Sequence, residues 1–89
     1  MQQRALMTFN VHADMARRLT IEERQAVFAA LDELVPDSGC VDGSRNPGDE
    51  VHFRLQAPSI EKAQTLAADH VKAVLARAGV DCEWTVTLT

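Results

Sequence analysis

The sequence predicts an α+β domain in which a strand, a helix and a strand are written twice in succession. Three observations point to this. Residues 50–57 alternate polar and apolar with period two, as a half-buried strand does. Residues 60–78 carry an apolar stripe of helical period. A weaker copy of the same grammar occupies residues 5–42. With 89 residues in all, the chain has room for one domain and one small core.

The first strand is expected from Ala5 to His12, with Met7, Phe9 and Val11 on one side and Leu6, Thr8, Asn10 and His12 on the other. Ala13 to Leu19 reads as a connector. Thr20 with Glu23 three residues on is a capping box and starts a helix. That helix presents Ile21, Val27, Phe28, Leu31, Leu34 and Val35 on one face, and Pro36 stops it. Gly39 to Asp42 is compatible with a short second strand, bounded by glycines that weaken it. A loop, Gly43 to Gly48, follows, its Pro47-Gly48 pair suited to the centre of a type II turn.

In the third strand Val51, Phe53, Leu55 and Ala57 alternate with Glu50, His52, Arg54 and Gln56. Ser59 caps the second helix, whose stripe is Ile60, Ala63, Leu66, Ala67, Val71, Val74, Leu75 and Ala78, and Gly79 closes it. A last strand alternates Cys82, Trp84, Val86 and Leu88 with Glu83, Thr85 and Thr87.

The order strand, helix, strand, strand, helix, strand is that of the ferredoxin-like βαββαβ fold. Right-handed crossovers then set a four-stranded antiparallel sheet in the order 4-1-3-2 with both helices on one face. The expected core is Met7, Phe9, Val11, Val27, Phe28, Leu31, Val51, Phe53, Leu55, Leu66, Val74, Trp84 and Val86. Cys40 and Cys82 fall on opposite edges and are expected as free thiols.

Composition narrows the function classes. A net charge of -4 disfavours electrostatic binding to nucleic acid or to an anionic membrane. No apolar run approaches the ~20 residues that cross a bilayer. The N-terminus has no signal-peptide pattern, so a cytoplasmic location is expected. The aromatic route to RNA is closed by parity, because Phe9 and Phe53 face inward and Thr8, Asn10, His52 and Arg54 face outward. Ser38, Ser44 and Ser59 sit at turn or cap positions, Cys82 points inward, and no phosphate-loop or nucleophile-elbow motif occurs. The arginine-bearing loop of acylphosphatases is not matched by residues 13–18. No enzymatic activity and no cofactor are therefore expected.

Three groups of residues remain as candidates for binding. The fold order gathers His12, Glu50, His52 and Glu83 at one end of the uncovered sheet face, with Arg54 beside them. Two imidazoles and two carboxylates suit a divalent metal or an acid/base pair. The alternative is a solvated polar face, because no compact ligand spacing supports a metal site. Arg17 and Arg18 precede a helix N-terminus, where an anion can be held. His70 lies at the margin of the second helix's stripe and reads as a boundary residue. The last strand, with Thr85, Thr87 and Thr89 exposed, runs uncharged from Trp84 to the end. Natural proteins usually protect such an edge, so a second copy or a partner strand is expected to cover it. The alternative is that Glu83 and fraying suffice.

The run Phe53-Arg54-Leu55-Gln56-Ala57, the Ala-rich helix with Glu61, Ala63, Leu66, Ala67 and Ala68, the Arg77-Ala78-Gly79-Val80 turn and the closing Trp84-Thr85-Val86-Thr87 carry a resemblance. Together they resemble the small βαββαβ hypothetical proteins of high-GC actinobacteria and their phages. The resemblance implies the fold and a phage or accessory-gene origin, and no activity.

The sequence thus points to a non-enzymatic interaction module, a homodimer or a binder of a protein partner through the last strand or the open face. Metal or small-molecule binding around His12 and His52 is the alternative.

Overall fold

A computed structural model describes residues 5–35, 40–42 and 49–89, with main-chain placement alone for 40–42. The elements are β1 (Met7–Met15), α1 (Ile21–Leu34), β2 (Cys40–Asp42), β3 (Glu50–Ala57), α2 (Ile60–Ala78) and β4 (Trp84–Leu88). The fold is α+β, with two helices and an antiparallel sheet. Its three long strands lie side by side with β1 between β3 and β4. The three residues of β2 pair with the outer side of β3, Cys40 opposite His52 and Asp42 opposite Glu50. The Pro47-Gly48 turn lies outside the described residues.

Side-chain parity along the strands builds the core. Val11, Ala13 and Met15 of β1 and Val51, Phe53, Leu55 and Ala57 of β3 are all buried. In the ladder Val11 faces Phe53 and Ala13 faces Val51, so these side chains share one side of the sheet. The helices cover that side with Val27, Ala30 and Leu31 from α1 and Ala63, Ala67, Val71, Val74 and Leu75 from α2. Trp84, Val86 and Leu88 of β4 and Leu66 of α2 are partly buried against the same cluster.

Local chemistry sets the helix ends. Thr20 and Glu23 form the reciprocal capping box, with Glu23 N–H donating to Thr20 Oγ1 at 3.1 Å and Thr20 N–H to Glu23 Oε1 at 2.9 Å. Ser59 Oγ accepts from the N–H of Lys62 at 3.2 Å. At the other end of α2, Gly79 is left-handed (φ 72°, ψ 28°). Its N–H reaches the Ala76 carbonyl and that of Val80 reaches Leu75, the paired bonds of a Schellman motif.

Three expectations are corrected. The first strand does not end at His12 but runs to Met15, because β4 pairs along its far half, Asp14 with Thr85 and Met15 with Trp84. The last strand begins at Trp84, two residues later than its alternation suggests. Phe28, assigned to the core, is 55% exposed, as are Ile21 and Leu34 in good part. The buried stripe of α1 runs through Val27, Ala30 and Leu31, and Phe28 lies about 100° round the helix from Val27. Met7 is likewise exposed and Phe9 only half-buried. Both precede Asn10, the last β1 residue with a neighbour in β4, so among the described residues that end of β1 has β3 as its one strand neighbour.

Candidate functional site

The uncovered face is built from the even-numbered residues of β1 and β3. The ladder sets His12 opposite His52 and Asp14 opposite Glu50, and His12 also lies beside Thr87 and Asp14 beside Thr85 of β4. Residues directly opposite in an antiparallel pair project to the same side. Two imidazoles and two carboxylates therefore stand on adjacent rungs of the two strands that share the longest ladder.

Their side chains converge on one atom. Glu50 Oε1 is 3.5 Å from His12 Nδ1 and in direct contact with His52 Nε2. The two imidazoles meet edge to face with ring centroids 4.7 Å apart. One ligand atom each from His12, Glu50 and His52 can be chosen so that all three lie within 4.8 Å of one another. Asp14 completes the group by a side-chain hydrogen bond to Glu50.

The electrostatics of the two acids diverge. Burial, the hydrogen bond with Glu50 and the charge of Glu50 together raise the Asp14 carboxyl above its ordinary range. Burial also pushes Glu50 upward, but hydrogen bonds from Asp14 and His12 and the nearby imidazoles more than offset it, and its net shift is downward. Asp14 thus holds its proton to higher pH than Glu50 does. Such a set can bind a divalent cation or pass a proton between carboxyl and imidazole.

Beside the cluster the face dips into a shallow depression of about 440 Å³ bordered by Asn10, His12, His52 and Arg54. A second, of about 350 Å³, continues it along Thr8, Arg54 and Gln56. Arg54 thus stands between the two, on the same face as the histidines.

Glu83 does not join the group. It precedes β4, is exposed, and its carbonyl accepts the N–H of Ala16 at 2.8 Å. Because His12 lies opposite Thr87, Glu83 is four residues further along, about 13 Å away. Asp14 takes the place expected for it. The strand parity that placed His12 on this face extends to Asp14 once β1 is known to continue, and that is the signal that would have found it.

The proposed anion site is filled from within the chain. Arg17 makes a two-pronged contact with Glu23, Nη1 to Oε1 at 2.8 Å and Nη2 to Oε2 at 2.9 Å. The guanidinium, with help from the Thr20 N–H, holds the Glu23 carboxyl down at about 2. The helix N-terminus meets the carboxylate of its own capping box, and Arg17 faces that carboxylate. Arg18 is exposed on the neighbouring surface.

His70 stands edge to face against Phe53, ring centroids 5.7 Å apart, on the covered side of the sheet. Cys82 is a free thiol, half-buried, with Sγ 3.7 Å from the sulfur of Met15. Burial raises its pKa, which disfavours the reactive thiolate. The side chain of Cys40 lies outside the described residues.

At the open edge the hydrogen-bond phase decides which groups are available. Asn10 and Thr89 exchange both backbone bonds at 2.9 Å. Alternation along the ladder then turns the N–H and C=O of Thr85, Thr87 and Thr89 toward β1 and those of Trp84, Val86 and Leu88 away from it. Among the described residues no strand pairs with that outer side. The threonines thus offer side chains to an incoming strand, while the backbone donors and acceptors belong to their neighbours.

Compared with known proteins, the chain matches no family model, no curated protein and no solved structure. The resemblance to small actinobacterial and phage proteins gains no support from these comparisons. Among the described residues no helix is long and apolar enough to cross a membrane.

Proposed function

We propose that this chain is a non-enzymatic interaction module that pairs with a second copy of itself through β4. The fold reading behind it is ferredoxin-like, with residues 40–42 as the fourth strand beyond β3, so that β4 is the other edge (order 4-1-3-2). The single observation that carries it is the outward row of N–H and C=O groups on Trp84, Val86 and Leu88 in a strand free of charge, proline and glycine.

A second copy fits this edge better than an unrelated strand because the edge is self-complementary. A two-fold axis at Val86 sets Trp84 opposite Leu88 of the partner subunit, and all outward groups of both strands are then satisfied. Thr85 falls opposite Thr87 of the partner subunit, a hydroxyl pair of the kind that stabilises cross-strand neighbours. Net negative charge on each subunit opposes association, but none of it lies in β4.

Light scattering on the purified chain tests the pairing. A dimer is expected for the native chain and a monomer for the T85K/T87K double variant, whose introduced lysines stand opposite one another across the axis. Both threonines are exposed, so the variant keeps its fold by circular dichroism. A native chain that stays monomeric at high concentration, or a double variant that still dimerises, overturns the reading.

A further inference from the structure

We propose that His12 Nδ1, His52 Nε2 and a carboxylate oxygen of Glu50 bind one divalent transition-metal ion per chain, of the zinc type. The inference is separate from strand pairing, because these residues project from the sheet face and not from its edge.

Donor chemistry selects the ion. Two imidazole nitrogens and a carboxylate are ligands that zinc takes readily, and three protein ligands with one open position form its usual accessible arrangement. Magnesium and calcium prefer all-oxygen sets, whereas nickel and copper accept the same donors as zinc. Cobalt, similar in size, serves as a spectroscopic stand-in.

Geometry is close to what binding requires. With metal–ligand bonds of ~2.0–2.1 Å, tetrahedral ligands stand roughly 3.4 Å apart. One ligand atom from each of the three residues already lies within 4.8 Å of the others, so side-chain rotations that move the tips by about an ångström complete the site. Both ring nitrogens already point at the same carboxylate oxygen, the point on which an ion would draw them together. The backbone beneath is the β1–β3 ladder, which fixes the spacing of His12 and His52 better than a loop would.

The surroundings fit as well. Asp14, directly opposite Glu50 in the ladder, is placed to orient that ligand, as partners of metal-bound carboxylates do. The face is open to solvent, which gives the ion a way in. His12 and His52 also border the depression that Asn10 and Arg54 line.

Zinc chloride and cobalt chloride titrated into the full chain provide the test, read by calorimetry, by melting temperature and by the visible spectrum of cobalt. One ion per chain, a rise in melting temperature and a four-coordinate cobalt band are expected. H12Q and H52Q are expected to lose all three, and D14N to bind about 10- to 100-fold more weakly. H70Q, which removes the one histidine outside the cluster, is expected to bind as the native chain does. Imidazole resonances of His12 and His52, followed during zinc titration of the native chain, are expected to move while those of His70 stay. That readout holds even if a variant fails to fold. No binding by the native chain, unchanged affinity in H12Q and H52Q, half an ion per chain, or movement of the His70 resonances alone overturns the proposal.

Discussion

Asp49, the residue before β3, ties the start of that strand to the start of α1, and it is fully buried. Its Oδ2 accepts the N–H of Leu19 at 2.7 Å and its Oδ1 the Nη2 of Arg24 at 2.6 Å. Arg24's hydrogen bond holds this carboxyl below its ordinary range, against the upward push of burial, and the Leu19 N–H adds to that. A carboxyl with a depressed folded pKa binds fewer protons folded than unfolded, so its stabilisation is complete above the unfolded value of ~3.9 and is lost as pH falls below it. Asp49→Asn keeps the shape but cannot ionise. Urea midpoints measured from pH 6 downward are expected to fall for the native chain below about pH 4 and to fall less steeply for the variant. At neutral pH the variant is expected to be less stable by about 1–3 kcal/mol, the usual cost of weakening a charge-assisted bond to a buried group. An equally steep acid limb in both chains would show that Asp49 is not its source. Nothing in the sequence marks this residue, because an acid at the end of a Gly- and Pro-containing loop is ordinarily solvated. The histidine pair is legible by contrast, since strand parity and element order alone put His12 beside His52.

Elements differ in how plainly their sequences announce them. α2 is legible end to end: Ser59 caps it, small and branched residues alternate at helical spacing, and Gly79 permits the left-handed turn. The phase of α1 is not, because the small Ala30 belongs to its buried stripe while Phe28 and Ile21 dominate by hydrophobicity and face outward. The end of β1 is hidden for a similar reason. Ala13 and Asp14 have little preference for strands, and pairing with β4 supplies what local propensity lacks. Gly79→Ala isolates the C-terminal turn of α2. A Cβ there meets nothing within 4 Å, so the only penalty is the left-handed backbone. A loss of about 1 kcal/mol in urea unfolding is expected, at the lower end of the 1–2 kcal/mol for an L-residue in that region. A neutral or stabilising effect would mean that the turn relaxes out of its positive φ.

At the scale of the molecule, the edge strand and the open face make separable claims. Pairing of β4 with its copy continues the sheet without turning it over, so the His12–Glu50–His52 clusters of both subunits lie on the same side. Across the pair the two His12 are three strand spacings apart, roughly 14–15 Å, and the two His52 five, too far for a single ion to bridge. One ion per chain is therefore expected whether the chain is monomeric or paired. Association has its own thermal signature. If unfolding of the native chain releases two monomers, each tenfold rise in protein concentration stabilises a subunit by about half of 1.4 kcal/mol. For a domain of this size that corresponds to a melting temperature higher by about 3–5 °C. Scanning calorimetry over two decades of concentration is expected to show this slope for the native chain and a flat line for T85K/T87K. A flat line for both would leave β4 as a solvated edge, whatever its backbone groups could accept.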